Sequence, residues 1–270
     1  MGRGANKRFG LTFIAFFLIV LISNCGTLDP KTGLRSYSGS MQSGVLESKT
    51  GIKYDVNYFP TKGLKKAPAV LLLPGAAVQN YFGNLPTKLN KAGFNVLVVT
   101  RYYMFDYWGS GGRSSKRKAL AKRGGAIDLV KNETITSINF LRDQENVDPN
   151  RICILGSSMG SALGIMGMKE DGRIKTSVIV SPGRICGMGL FSYHIEKKIL
   201  DEWKLLLIAS HQDINPNGRS AVDCAESIAQ YCPDSTITKK YLTGSLHGTK
   251  LLRNNYSLNN EIVQWLKSNL

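Results

Sequence analysis

The chain has 270 residues, with 35 Lys and Arg against 19 Asp and Glu, giving a formal net charge of +16. Setting the first 25 residues aside leaves about 245, enough to bury the core of one α/β domain. An export signal at the N-terminus argues against nucleic acid as the partner of this basic chain, and no Cys/His spacing suits a metal.

Arg3, Lys7 and Arg8 make a basic start, and Leu11 to Ile22 is a nearly pure apolar run of 12 residues, shorter than the ~20 that span a bilayer. That order reads as a secretory signal. Leu21-Ile22-Ser23-Asn24-Cys25 resembles a bacterial lipobox, whose cysteine is lipidated, with Asn24 in place of the usual Gly or Ala. Whether cleaved at Cys25 or kept as an uncleaved anchor, residues 1–25 export the chain and tether it to a membrane of a bacterial cell envelope. Removing the three leading cations leaves about +13, still strongly basic. Residues 26–50, rich in Ser and Gly, read as a tether running into an edge segment, with the folded domain over 51–270.

Lys53 to Phe59 alternates as an antiparallel strand does. Ala69–Leu73 and Phe94–Thr100 are continuous apolar runs, the pattern of strands covered on both faces, and Tyr81 to Ala92 reads as a helix ending at Gly93. Tyr102, Tyr103, Phe105, Tyr107 and Trp108 form an aromatic cluster that either packs the sheet edge or rims a pocket or membrane interface. Six cations between 113 and 123 follow it, as a solvated loop and helix start or as an attractor of anionic lipid headgroups and envelope polymers. Gly124 to Gln144 carries Ile127, Val130, Ile135, Ile138 and Leu141 on one helical face, and Asp148-Pro149-Asn150 reads as a turn. Arg151–Leu155 is the next strand, and Ser161–Met168 is small and apolar enough to pack as a helix on a sheet. Further strands are read at Thr176–Val180, Trp203–Ala209 and Thr238–Leu242, with a last helix over Asn259–Leu270. The alternation implies a mostly parallel sheet with right-handed crossovers.

Of the five cysteines, Cys153 lies inside a strand as a buried small apolar residue. Cys224 and Cys232 fall eight apart in one expected helix, about 12 Å along its axis and too far to bond each other. Cys186 has either of them as a disulfide partner in an oxidising compartment.

Between the strand at 151–155 and the following helix stands Gly156-Ser157-Ser158-Met159-Gly160. A Gly-x-Ser-x-Gly turn in that setting holds its serine on a sharp, strained corner with the hydroxyl projecting from the sheet's C-terminal edge. A serine hydroxyl is a poor nucleophile until a base takes its proton, so the pattern requires a histidine and an acid to orient it. Among the three histidines, His247 lies in the loop after the last strand, His194 lies between two strands, and His211 follows a strand end. Asp213 opens the loop after Leu205–Ile208, ahead of Asp201 as the candidate acid. The candidate catalytic set is Ser158, Asp213 and His247, in the chain order Ser, Asp, His. The backbone N–H groups of Met159 and of Ala76, in the loop after Leu73, are the candidate oxyanion donors, with Ala77 the alternative to Ala76.

With these residues in hand, the chain resembles the α/β-hydrolases over roughly residues 45 to 270. Its strand before the first oxyanion donor ends in Pro74-Gly75, where that superfamily commonly has His-Gly. Asp106-Tyr107-Trp108-Gly109-Ser110-Gly111-Gly112-Arg113-Ser114 is similar to the family's Asp-x-x-Gly-x-Gly-x-Ser loop with one residue inserted, and Val147–Arg151 to the lead-in of dienelactone-hydrolase-like and acyl-peptidase-like members. The dienelactone hydrolases proper use cysteine at the elbow, so the resemblance implies a serine esterase. It implies an α/β-hydrolase fold, ester, thioester or peptide substrates, and no cofactor. Ser181 to Glu202 gives 22 residues where a lid is often inserted, so little or no cap is expected, with Met188, Leu190, Phe191 and Tyr193 as candidates for a pocket wall. The expected activity is cleavage of short- to medium-chain carboxylic esters, small-molecule or lipid. The alternatives are a peptidase or envelope-lipid hydrolase of the same fold, or a non-catalytic surface-binding lipoprotein.

Overall fold

The computed structural model describes residues 26–30, 32–36, 41–63, 65–75, 82–101, 126–182, 202–215, 218–253 and 255–270. The candidate signal and lipidation segment with Cys25, the oxyanion candidate Ala76, the aromatic and cationic stretch over 102–123, and Cys186 with the 183–201 segment all lie outside them.

In chain order the elements are β1 (Thr27–Leu28), β2 (Arg35–Ser36), β3 (Gln42–Glu47), β4 (Lys53–Phe59), β5 (Ala67–Leu73), α1 (Leu85–Lys91), β6 (Asn95–Arg101), α2 (Ala126–Arg142), β7 (Val147–Ser157), α3 (Met159–Glu170), β8 (Thr176–Val180), β9 (Lys204–Ser210), α4 (Ala221–Ala229), β10 (Ile237–Leu242), α5 (Thr249–Arg253) and α6 (Tyr256–Asn269). The strands form one ten-stranded sheet in the order β1-β2-β3-β4-β6-β5-β7-β8-β9-β10. Neighbours from β1 through β4 to β6 pair antiparallel; every pair from β6 to β10 is parallel. This is the mostly parallel, helix-flanked sheet expected from the alternation of elements.

The apolar runs explain the layering. Along β5 and β7, Leu71, Leu73, Ile152 and Ile154 face α2, α3 and α4 through Ile138, Leu141, Leu163, Ile165 and Ala225. Val70, Leu72, Cys153 and Leu155 face α1, α5 and α6 through Leu85, Leu89, Leu252, Ile262 and Leu266. Both faces of these strands are therefore dry, and each such side chain contributes about 1.5–3 kcal/mol relative to exposure. Cys153 sits in this interior, where burial pushes its thiol pKa up and keeps it an inert apolar residue.

Within the 26–50 stretch, read as a tether running into an edge segment, the described residues form β1, β2 and β3, and Leu34 is buried in the core. Two expectations meet a different structure. Asp148-Pro149-Asn150 lies within β7 rather than ahead of it; Asp148 still accepts from the Asn150 N–H at 3.0 Å, and the β5–β7 register shifts between Ala67 and Ala69 to absorb the extra residues. Cys224 and Cys232 do not share a helix: α4 ends at Ala229, and Pro233 follows in the next turn, where its ring and missing N–H cannot continue a helix. Cys224 is disulfide-bonded to a partner outside the described residues, and Cys232 keeps its thiol. Among the described residues no helix is long and apolar enough to cross a membrane.

Candidate active site

The corner between β7 and α3 is built by close approach. A Cβ on Gly156 would lie 2.1 Å from the Gly160 carbonyl oxygen, and one on Gly160 would lie 2.1 Å from that of Leu73, so only glycine lets α3 start this near β5 and β7. Ser158 between them has φ 55° and ψ −113°, a strained conformation for a residue with a side chain. Its N–H donates to the Val180 carbonyl at 2.8 Å, and its carbonyl accepts from the Ser161 N–H at 3.0 Å. The buried Ser161 hydroxyl lies 2.9 Å from the Gly156 carbonyl and 3.0 Å from that of Val180, locking the corner from beneath.

The other two candidates arrive on neighbouring strand ends. Asp213 follows β9; its carbonyl accepts from the Ala221 N–H at 2.8 Å, tying the loop to the start of α4. His247 follows β10 in a loop whose base is pinned where the Gln212 N–H meets the Gly244 carbonyl at 3.0 Å and the Gln212 side-chain oxygen accepts from the Gly244 N–H. The structure brings all three together: His247 Nε2 lies 2.8 Å from Ser158 Oγ, and Nδ1 lies 2.9 and 2.8 Å from the two Asp213 oxygens. Asp213 is only 8% exposed, whereas the His247 side chain is 44% exposed, so the acid is shielded while the ring remains open to an incoming molecule. With Nδ1–H donated to the carboxylate, the Nε2 lone pair is free to accept the serine proton.

Met159 opens α3 directly after Ser158, at the helix end whose first N–H groups have no intrahelical acceptor. His211 is elsewhere: its ring meets Tyr241 edge-on at 6.1 Å. His194 and Asp201 lie outside the described residues. Among the described residues no group of three or more His, Cys, Asp or Glu is arranged to hold a metal. Sequence reasoning missed Ser161 and Gln212, which hydrogen-bond the segments carrying Ser158 and His247, and the 2.9 Å contact of the Gly248 N–H with the Ser181 hydroxyl; the only local signal was a hydroxyl three residues beyond Ser158.

No family model matches the chain. It is 30% identical over 122 residues to an uncharacterized protein of Mycobacterium tuberculosis, a match spanning 45% of this chain and 38% of that protein's length. Among solved structures, a cold-adapted esterase from an Arctic intertidal metagenomic library superposes with TM-score 0.61 and 15% identity, over 87% of this chain and 97% of the esterase. Acetyl xylan esterase 1 from Thermoanaerobacterium sp. JW/SL YS485 gives TM-score 0.61 and 13% identity, over 87% of this chain and 86% of that one. A protein of unknown function from Agrobacterium tumefaciens, described as belonging with the α/β hydrolases, gives TM-score 0.58 and 18% identity, over 83% of this chain and 94% of that one. Strand order, crossover pattern and these superpositions together give this chain the α/β-hydrolase fold.

Proposed function

We propose that the chain is a serine hydrolase that cleaves short- to medium-chain carboxylic esters through an acyl-enzyme intermediate. The observation that carries this reading is the unbroken hydrogen-bond line from the buried Asp213 carboxylate through both nitrogens of His247 to the hydroxyl of the strained Ser158. The esterases among the structural neighbours support it at the level of fold.

In this mechanism His247 Nε2 takes the Ser158 proton as Oγ attacks the ester carbonyl carbon. Asp213 holds the imidazole in the Nδ1–H tautomer and stabilises the imidazolium that forms. The backbone N–H groups of Met159 and Ala76 donate hydrogen bonds to the carbonyl oxygen as negative charge grows on it. His247 returns its proton to the departing alcohol, then activates the water that hydrolyses the acyl-enzyme. The basic leader, apolar run and Cys25 support an exported enzyme held to the envelope by a lipid anchor.

The test is covalent labelling by a fluorophosphonate, followed by a chain-length series of chromogenic esters beside aminoacyl amides. Labelling that disappears in Ser158→Ala, with ester turnover falling as the acyl chain lengthens, is the expected result. Folded wild-type protein that resists labelling rejects the hydrolase in favour of a binding lipoprotein, and faster amide than ester cleavage makes it a peptidase.

A further inference from the structure

Ser181, directly after β8, has φ 50°. In this left-handed region glycine is free of strain, while a residue with a side chain is held at a cost in backbone energy. The residue is fully buried, and its N–H donates to the Ile208 carbonyl at 2.8 Å, as a glycine would do equally well. What serine adds at this position is its hydroxyl, which accepts from the Gly248 N–H at 2.9 Å.

Gly248 is the residue after His247. Its φ is 60°, and a Cβ there would lie 2.9 Å from Ser157 Oγ and 3.8 Å from Ser158 Cβ. The loop bearing the imidazole therefore presses its backbone against the end of β7, where the Gly248 N–H is out of reach of water and needs an acceptor. The residue before Ser181 holds the other partner: the Val180 carbonyl accepts the Ser158 N–H at 2.8 Å. Two consecutive residues at the end of β8 thus grip both sides of the proton transfer, Val180 through Ser158 and Ser181 through the peptide that follows His247.

We propose that Ser181 is a positioning residue whose hydroxyl fixes the His247 loop so that Nε2 meets Ser158 Oγ. It touches neither substrate nor reacting atoms and acts through Gly248; the inference rests on the hydrolase reading above. A group that only aligns the base lowers the rate of chemistry and leaves substrate binding alone.

The experiment uses the full chain as wild type, Ser181→Gly and Ser181→Ala. It measures the fluorophosphonate labelling rate, kcat and KM on a chromogenic ester, and the melting temperature. The glycine variant relieves the backbone strain as it removes the acceptor, so its melting temperature stays near that of wild type. Its kcat and labelling rate fall about 10- to 100-fold with KM within about twofold. Ser181→Ala gives the same loss of rate with a lower melting temperature. Wild-type labelling by either folded variant overturns the proposal, as does a change confined to KM. Failure of both variants to fold also overturns it, because the hydroxyl then holds the fold rather than the base. A folded wild type that does not label rejects the hydrolase reading itself, an outcome distinct from the rest.

Discussion

The parallel strands end in two different ways. At their C-terminal ends, Ser158 and Ser181 sit at φ 55° and 50°, the two non-glycine residues of positive φ among those described. At the opposite ends, where β5, β6 and β7 begin, Asn95 and Asn146 tie the strand starts together. Asn95 Oδ1 accepts from Asn146 Nδ2 at 2.8 Å and from the Thr61 N–H at 2.9 Å, while Asn95 Nδ2 donates to the Asn146 carbonyl at 2.9 Å. Tyr58 adds its hydroxyl at 3.1 Å from Asn146 Oδ1, and burial pushes that phenol's pKa up, keeping it a neutral donor. One end tolerates strain in order to aim side chains, and the other satisfies buried amides in order to hold strands. Substitutions at the two ends should therefore separate activity from stability.

The largest effect belongs to the aimed end. Ser158→Ala should lower ester hydrolysis by about 10⁶-fold, and Asp213→Asn by about 10⁴-fold, since the amide favours the wrong imidazole tautomer. Melting temperatures should stay within a few degrees of wild type, because neither change opens a cavity. A comparable loss of stability in thermal unfolding would blur the contrast between the ends.

Next comes the framework that makes the corner. Gly160→Ala puts a methyl against the Leu73 carbonyl, backbone on both sides, with no flexible side chain to yield. We expect a loss of about 3 kcal/mol or more, read as a melting temperature lower by about 10 °C. An unchanged melting temperature would mean that α3 does not approach β5 this closely. At the tied end, Asn95→Ala removes a buried amide and leaves donors of Asn146 and Thr61 without their acceptor, at a cost of about 2 kcal/mol in urea unfolding. The folded fraction should keep wild-type kcat, and a fall in kcat would show that the two ends are coupled.

The two ends also differ in how well they can be read from sequence. β4 and β8 match their expected residues because period-2 alternation and a continuous apolar run are local signals. The corner at Ser158 is legible for the same reason: its two glycines and its serine are neighbours in the chain. Asp213 and His247 follow from the geometry of strand ends, where loops at one edge converge whatever their sequence distance. The supports are another matter. Ser181 with Gly248, and Asn95 with Asn146, are single side-chain contacts between segments 67 and 51 residues apart, and no periodicity marks them. The 26–50 stretch reads from sequence as a tether running into an edge segment; no apolar run marks its division into β1 to β3, and the buried Leu34 ties it to the core.

The smallest expected effect lies on β10, the edge strand of the parallel part of the sheet. Lys239 Nζ and the Tyr241 hydroxyl each donate to Glu226 on α4 at 2.8 Å. Lys239 first, and Tyr241 second, hold the Glu226 carboxyl below its ordinary value of 4.5. The pair is partly exposed, with side chains 38% and 42% accessible, so Lys239→Ala should cost only about 0.5 kcal/mol in urea unfolding at neutral pH. A folded-state pKa below the unfolded one stabilises above the unfolded value and loses that contribution as pH falls through the folded value. The gap between wild type and Lys239→Ala should therefore be present at pH 7, shrink below about pH 4.5, and diminish in 1 M salt, where screening shortens to about 3 Å. A gap that persists in acid and in salt would assign the loss to packing of the lysine stem against α4 rather than to its charge.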